Sequence, residues 1–329
     1  MKHIILSYDY ELFFGSKSGT VIKTIIGPTN RLLDAMDRVG LKGNFFIDYL
    51  MIKKLQSMDD PICKNDLVSL ERQLRDIVRR GHRIELHLHP HWLDALYLGN
   101  GLWDFSNFSR YSLSAFCVED INNFFKEGVA YLNKIGSSVQ ANYNVCAFRA
   151  GGWAVQPFTN LKDAFSENNI IIDTSVAYKA FGRQEGSEYN FIGAPSEDSY
   201  RFENDVCKKT SDGHFIEVPI HTIKRNILDK SIDKLLRVFT HYFEHYSDGT
   251  HARPYKGAES IDTNVHTSKR SMFCLSFLNP ISLMLHFTTL FNKNIVCMID
   301  HPKDINPVAI FNIGILGRFY KSINYKDMI

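Results

Sequence analysis

Short apolar runs alternate with helical patterns along most of the chain. The runs are rich in branched and aromatic residues and are typical of buried strands; they cover 3–9, 42–48, 82–89, 144–150, 169–175, 214–220 and 294–300. Between them, apolar positions recur every three or four residues. The clearest such pattern follows Asp66, so the sequence predicts a helix that is capped by Asp66 and stopped by Gly81. Helices are also predicted at 29–39, 119–135, 154–168 and 228–246.

This alternation predicts the fold class. Strands that alternate with helices form parallel β-α units, and about seven such units predict an α/β protein with a closed or nearly closed barrel. Three segments, 97–111, 178–213 and 247–270, lack periodicity and are predicted to be long rim loops of a single domain over 1–329. Barrels of this kind carry their chemistry at the C-terminal ends of the strands.

Composition narrows the possible partners and the compartment. The chain of 329 residues has 38 basic and 36 acidic side chains, so no overall field attracts nucleic acid. Six cysteines without a C-x-x-C pair indicate buried thiols in a reducing compartment, not a disulfide framework. The N-terminus has no signal-peptide core, so we expect a cytoplasmic protein without a transmembrane segment. The apolar stretch 271–291 is interrupted by Asn279, Pro280 and His286; it is predicted as a buried helix, and a membrane-surface role stays open.

Three histidines fall within the segment "ELHLHPHW" at 85–92. The period of two in a strand places Glu85, His87 and His89 on one face. Pro90 ends the strand, and His91 can then swing back beside His87, which would give two imidazoles that share a metal ion. The alternative is a strand end with solvated or hydrogen-bonded histidines.

A pair of carboxylates follows the first strand in "SYDYE". The same period places Ser7, Asp9 and Glu11 on one face, so both carboxylates can enter one pocket. One carboxylate with His87 and His91 would bind a divalent ion while the other remains free as a base, which suffices for hydrolysis. The alternative is two acidic side chains at an exposed strand end.

Five motifs together resemble one family. "GHRIELHLHPH" resembles the metal motif of the polysaccharide deacetylase family, the NodB-type carbohydrate esterases, whose fold is a distorted (β/α) barrel. "GNFFI", "FRAGGW", "IIDTSV" and "IDHP" are similar to four further motifs of that family, in the family's order. There are two departures: the usual adjacent aspartates are here Asp9-Tyr10-Glu11, and Gly151 stands where the family has a proline.

The resemblance implies a role for each site residue. Asp9 would be the general base, and Glu11, His87 and His91 would bind one divalent ion, in this family most often zinc; the roles of the two carboxylates could be exchanged. Arg149 would hold Asp9 ionised, His301 would be the general acid, and Asp173 would orient the ring of His301.

The reaction implied is removal of an N-acetyl or related acyl group from an amino sugar of a polysaccharide or its precursor. Trp153, Trp92 and the aromatic loop 102–111 could form walls for a sugar ring, although core packing explains the tryptophans equally well. His89 is a candidate substrate contact without a family role. The alternative functions are hydrolysis of another C–N bond, such as a cyclic amide, and non-catalytic carbohydrate binding.

Overall fold

A computed structural model describes residues 2–184, 186–225, 227–251 and 270–329. Its strands are β1 (Lys2–Tyr10), β2 (Gly43–Asp48), β3 (Arg83–Leu88), β4 (Leu96–Gly99), β5 (Leu102–Asp104), β6 (Ala147–Ala150), β7 (Ile172–Asp173), β8 (Phe181–Gln184), β9 (Ser187–Asn190), β10 (Tyr200–Phe202), β11 (Phe215–Glu217), β12 (Thr222–Lys224), β13 (Arg270–Met272), β14 (Ile295–Asp300) and β15 (Tyr320–Ser322). The helices are α1 (Gly27–Arg38), α2 (Tyr49–Gln56), α3 (Pro61–Arg79), α4 (Val118–Ser137), α5 (Lys162–Glu167), α6 (Ile227–Phe239), α7 (Pro280–Phe291) and α8 (Pro307–Phe319).

The main sheet has the strand order β10-β11-β7-β6-β3-β2-β1-β14, and β15 adds to β1. All neighbours from β11 to β14 along this order are parallel, and β10 is antiparallel to β11. The seven strands from β11 to β14 in this order fall one in each of the seven apolar runs, and only β1 extends beyond its run, by one residue at each end. The prediction of parallel β-α units is therefore confirmed. These strands are buried on both faces, which is why they are nearly continuous apolar runs in the sequence.

The sheet curls so that its two ends approach each other. Beyond β11, the amide of His221 donates to the carbonyl of Cys297 in β14 at 2.8 Å. Phe273, after β13, donates to the carbonyl of His221 at 2.8 Å and accepts from the amide of Ile299 at 3.1 Å. The result is the distorted barrel that the sequence predicted, closed on one side through single backbone bonds and not through a full strand pairing.

Two helix predictions need correction. Helix α3 begins at Pro61 and is capped by Asp60, whose carboxylate accepts from the amides of Ile62 and Cys63. Asp66 is therefore not the cap but a buried residue inside the helix; proline in the first helical position makes the earlier start favourable. The predicted helix 154–168 is reduced to α5, because Pro157 cannot continue a helix through its first part.

The other helix predictions agree with α1, α4 and α6 to within a few residues, except that α6 ends at Phe239 instead of 246. The predicted loop 97–111 contains the β4–β5 hairpin, and 178–213 contains the β8–β9 hairpin and β10. Most of the predicted loop 247–270 lies outside the described residues. The apolar stretch 271–291 forms β13 and α7. Among the described residues, every helix is too short or too polar to cross a bilayer.

Side chains inside the barrel form an apolar layer beneath a polar one. The lower layer includes Ile5, Phe46 and Ala147, with Tyr325 from the C-terminal segment packed among them. Along β1 the next inward positions after Ile5 are Ser7 and Asp9, while Tyr8 and Tyr10 face the helices, where they contact Met36 and Gln73. The period of two in β1 thus places Ser7 and Asp9 inside the barrel, above the apolar layer and toward the C-terminal rim.

Candidate metal and acid–base site

Asp9 and Glu11 lie side by side at the C-terminal end of β1, as the period of two predicts. Both are almost fully buried. Arg149, at the end of β6, donates from Nη1 to Asp9 Oδ1 at 2.6 Å and from Nη2 to the hydroxyl of Ser7 at 2.7 Å. Its Nε donates to the carbonyl of Thr174 at 3.1 Å. The guanidinium therefore holds one Asp9 oxygen and leaves the other, Oδ2, directed toward the remaining site.

Glu11 meets two histidines from β3 and the residue after it. His87 Nε2 lies 3.1 Å and His89 Nε2 lies 2.8 Å from the same oxygen, Glu11 Oε2. The donor atoms of these three buried residues lie within 4.8 Å of one another, a spacing that could hold a metal ion. His87 Nδ1 donates to the carbonyl of Arg149 at 2.7 Å, which leaves Nε2 as the ring atom that faces Glu11. Burial lowers the pKa of His87, but the carboxylates of Asp9, Glu11 and Asp48 raise it to about 9, so this ring would release a proton when a cation binds. A carboxylate with two imidazoles is a donor set typical of zinc.

The position of His91 differs from the prediction. Pro90 begins a 3-10 turn (Pro90–Asp94) that places His91 in an aromatic enclosure, with ring centroids 4.4 Å from Phe14 and 4.8 Å from Tyr111. Within the described part of the chain, both ring nitrogens of His91 are buried without a hydrogen-bond partner. The strand period extends to His89, so His89 takes the place beside Glu11 that we expected for His91.

The departure at Gly151 fits this arrangement. A Cβ at position 151 would lie 2.4 Å from the carbonyl oxygen of Leu88 and 2.7 Å from Nδ1 of His89, closer than atoms can approach. Glycine therefore leaves the space that the His89 ring occupies. His89 Nδ1 is buried without a hydrogen-bond partner among the described residues, so the shape of this cradle, and not an acceptor, positions the ring with Nε2 toward Glu11.

His301, just after β14, completes the rim. Its Nε2 lies 3.7 Å from both Asp9 Oδ2 and Glu11 Oε1. Its Nδ1 lies 3.3 Å from Asp304 Oδ2. The other oxygen of Asp304 lies 2.6 Å from Nε2 of His251, a half-exposed histidine. A chain of titratable groups thus runs from the site through Asp304 toward the surface.

Asp173 does not hold His301. Its oxygens accept from the amide of Ser175 at 3.0 Å and from its hydroxyl at 2.8 Å. It also shares a hydrogen bond with Glu217, which raises the pKa of Glu217 in addition to the effect of burial. Burial raises the pKa of Asp173 as well. The expectation that Asp173 orients His301 is corrected by the structure, because the turn after β14 brings Asp304 to that ring instead.

Lys303 and Asp48 belong to the site and were not expected from the sequence. Lys303 is 6% exposed, and its Nζ donates to Glu11 Oε1 at 2.6 Å and to the carbonyl of Leu12 at 3.1 Å. Asp48, at the end of β2, accepts from the amide of His89 at 3.2 Å. Asp48 could have been predicted, because it ends a predicted strand as Asp9 does. Lys303 directly follows the motif IDHP, and nothing in the sequence pattern marks it as a partner of Glu11.

Trp92 and Trp153 lie in different environments. Trp92 is fully buried against Trp103 and Phe105, at ring-centroid distances of 5.3 and 4.7 Å. It is a core residue, so the expectation of a sugar-contacting wall is corrected for it. Trp153 is only partly buried, follows Arg149 by four positions and packs edge-on against Tyr189 at 5.7 Å.

The electrostatics shift the pKa values of Asp9 and His301 in opposite directions. Burial alone would raise the pKa of Asp9, but the charges of Arg149, His87 and His301 outweigh burial and lower the pKa below its ordinary value. Burial lowers the pKa of His301, but the nearby carboxylates of Asp304, Asp9 and Glu11 give a net rise. Burial lowers the pKa of His89 to about 4, so its ring is neutral, as a metal ligand must be.

No protein-family model and no curated protein matches the sequence. The structure is similar to that of a presumed polysaccharide deacetylase from Mycobacterium smegmatis, with 12% identity, coverage of 99% of this chain and 87% of the other, and a TM-score of 0.49. It is also similar to a branching enzyme from Thermococcus kodakaraensis, with 10% identity, coverage of 99% and 70%, and a TM-score of 0.46. For the catalytic domain of a peptidoglycan N-acetylglucosamine deacetylase from Eubacterium rectale, the identity is 12%, the coverage 98% and 88%, and the TM-score 0.34. Polysaccharide deacetylases, whose motifs the sequence resembles, are thus among the structures to which this fold is similar.

Proposed function

We propose that the chain is a metal-dependent hydrolase that removes an N-acetyl or related acyl group from an amino sugar. The observation that carries the proposal is the grouping of Asp9, fixed by Arg149, with the Glu11–His87–His89 donor set and with His301. A base, an acid and a cation site within a few ångströms of one another are the parts that amide hydrolysis requires.

Glu11, His87 and His89 would hold the divalent cation. When bound, such a cation polarises an acyl carbonyl and lowers the pKa of a coordinated water. The geometry behind this assignment is the convergence of both Nε2 atoms on Glu11 Oε2. Lys303 binds the other oxygen, Oε1, and so fixes the carboxylate with Oε2 toward the histidines. We favour zinc for its preference for imidazole and carboxylate ligands.

Asp9 is the proposed base. Its Oδ1 is bound to Arg149, so Oδ2 is the oxygen that can accept a proton from the attacking water. The lowered pKa keeps Asp9 ionised before the reaction. Arg149 does not exchange protons at any accessible pH, so its role is to aim the carboxylate and to stabilise its charge.

His301 is the proposed acid. Its Nε2 lies 3.7 Å from Asp9 Oδ2, so the group that takes a proton and the group that gives one flank the same small space. Asp304 on Nδ1 favours the protonated ring and fixes its orientation. Protonation of the departing nitrogen by His301 allows the C–N bond to break, which yields acetate and a free amine.

We propose the substrate class that the sequence motifs imply, an N-acylated amino sugar of a polysaccharide or its precursor. Trp153 at the rim offers a partly exposed aromatic face against which a sugar ring could stack, and Tyr189 supports it from the side. A Trp153→Ala variant should raise the Michaelis constant for a sugar substrate with little change in turnover. The decisive experiment is acetate release from a panel of N-acetylated amino sugars and their precursors by metal-loaded protein.

A further inference from the structure

Helix α7 presents apolar side chains to solvent as well as to the core. Leu283, Phe287 and Leu290 are buried beneath it. On its opposite side Ile281, Met284 and Leu285 are each about half exposed, at 51%, 50% and 48%, and Phe277 just before the helix is 42% exposed. We call these four residues the α7 face. Several half-exposed apolar side chains grouped on one helix are unusual at a water-facing surface and indicate a further apolar neighbour.

The helices on either side of α7 continue this surface. Asn279 and His286 of α7 bind Asp233 and Asp229 of α6, and Asn312 of α8 donates to the carbonyls of Leu275 and Leu278 just before α7. Helix α7 therefore lies between α6 and α8. Each neighbour adds exposed apolar side chains of its own, among them Leu235 on α6 and Phe311 on α8, which are 59% and 61% exposed.

The charge of this region has one sign. From 270 to 323 the only acidic residues are Asp300 and Asp304, and both are buried. The two acids of α6, Asp229 and Asp233, are buried against α7. Exposed bases that make no ion pair within the described residues flank the face; they are Lys230 and Lys234 on α6, Arg318 on α8 and Lys321 after it.

We propose that the α7 face binds the surface of a bilayer rich in anionic phospholipid. An apolar face whose neighbouring helices carry unpaired lysine and arginine, with no exposed carboxylate on α6, α7 or α8, complements acyl chains beneath negatively charged headgroups. Helix α7 spans Pro280–Phe291, far too few residues to cross a bilayer, so it would lie in the plane of the interface. This inference does not depend on the proposed hydrolase activity, because no residue of the α7 face belongs to that site.

The test measures co-sedimentation of the full chain with two kinds of vesicle, pure phosphatidylcholine and phosphatidylcholine with phosphatidylglycerol. The wild-type chain should bind the anionic vesicles more tightly, and added salt should weaken that binding. A Met284→Ser/Leu285→Ser variant should lose about tenfold or more in affinity, the scale expected for two half-buried aliphatic side chains. A Val68→Ser/Leu96→Ser variant is the matched control, because it removes two exposed apolar side chains elsewhere, at 66% and 63% exposure; it should bind like the wild type.

A second variant separates the charge from the apolar face. Lys230→Glu/Lys234→Glu should remove most of the preference for anionic vesicles and most of the salt dependence. Circular dichroism and thermal melting of all variants establish that each is folded. The proposal is overturned if the wild-type chain stays in the supernatant with anionic vesicles, or if both serine variants bind equally well. It is also overturned if size-exclusion chromatography shows a dimer that the Met284→Ser/Leu285→Ser change dissolves, since a second copy would then cover the face.

Discussion

Arg149 Nη1 donates a hydrogen bond to a single oxygen of Asp9, Oδ1, at 2.6 Å, and both side chains are buried beneath the rim of the barrel. The other Asp9 oxygen is left facing His301. This relationship distinguishes Asp9 from its neighbour Glu11, whose two oxygens are bound by Lys303 and by the histidines. For this reason we propose Asp9 for proton transfer and Glu11 for cation binding.

Replacing Asp9 should separate catalysis from metal binding. Asp9→Asn should lower turnover by about a hundredfold or more, the scale of a lost general base, while one equivalent of zinc still binds. Glu11→Gln should instead abolish stoichiometric zinc binding, which inductively coupled plasma mass spectrometry after dialysis would measure. If Asp9→Asn lost zinc and Glu11→Gln kept it, the roles of the two carboxylates would be exchanged.

Either His89 or His91 could be the third cation ligand beside Glu11 and His87, and a matched pair of variants distinguishes the two. His89→Ala should abolish tight zinc binding because His89 Nε2 lies 2.8 Å from Glu11 Oε2. His91→Ala should retain zinc, because its ring lies in the aromatic enclosure beside Phe14. Calorimetric zinc titration of both variants is the measurement, and loss of zinc only in His91→Ala would restore the ligand set that the sequence motif implied.

Asp304, not Asp173, should tune the acid. Removing its carboxylate lowers the pKa of His301, and a general acid is lost as the pH rises through its pKa. The alkaline limb of the pH–rate profile should therefore move to lower pH in Asp304→Asn, by about one unit. Asp173→Asn is the matched control and should leave that limb in place, since Asp173 is bonded to Ser175 and Glu217. A shift in the control alone would contradict the assignment.

Lys303 should act through Glu11. Lys303→Met removes the ammonium bound to Glu11 Oε1 and frees the carboxylate to rotate. We expect zinc affinity to fall about ten- to a hundredfold, the usual cost of losing a group that orients a ligand. Lys303→Arg should recover part of this affinity. An unchanged zinc affinity in Lys303→Met would show that Glu11 needs no such support.

Asp66 gives a prediction about stability that is independent of the site. Burial raises its pKa from 3.8 to about 6. The folded state thus holds this proton more tightly than the unfolded state. The contribution of protonated Asp66 to the free energy of unfolding is therefore fully present below pH 3.8 and is lost as the pH rises through 6. Asp66→Asn should be more stable than the wild type by about 1–2 kcal/mol at pH 8 and equal to it at pH 3.5, by thermal melting. An Asp66→Asn variant with the same gain in stability at pH 3.5 and at pH 8 would contradict this expectation.

The strands and the first positions of the site could be predicted because a period of two has few alternatives. Ser7, Asp9 and Glu11 had to share a face, and so did His87 and His89. The placement of His91 differs from the expectation where that period ends: Pro90 starts a 3-10 turn, and the direction of a short turn depends on the aromatic residues packed around it.

The partners of His301 could not be predicted for a similar reason. Asp304 and Lys303 lie in the turn Pro302–Asp304 after β14, where no repeating pattern fixes the direction of a side chain. Asp173 lies at the end of a strand, as the motif implies, but β7 pairs with β11 and brings Glu217 beside it. Strand pairing depends on the whole sheet, so the sequence of β7 or of β11 alone does not predict that Asp173 and Glu217 are neighbours.

Asp9 and a cation at Glu11, His87 and His89 are proposed to hydrolyse an N-acyl amino sugar together. The most direct measurement is acetate release from a panel of N-acetylated amino sugars, compared between zinc-loaded wild type, zinc-loaded Asp9→Asn and chelator-treated wild type. The account predicts release by the zinc-loaded wild type from at least one sugar, a loss of about a hundredfold or more in Asp9→Asn, and recovery of the chelated protein when zinc returns. Equal acetate release by all three preparations, or none from any sugar by a chain that binds one equivalent of zinc, would contradict it.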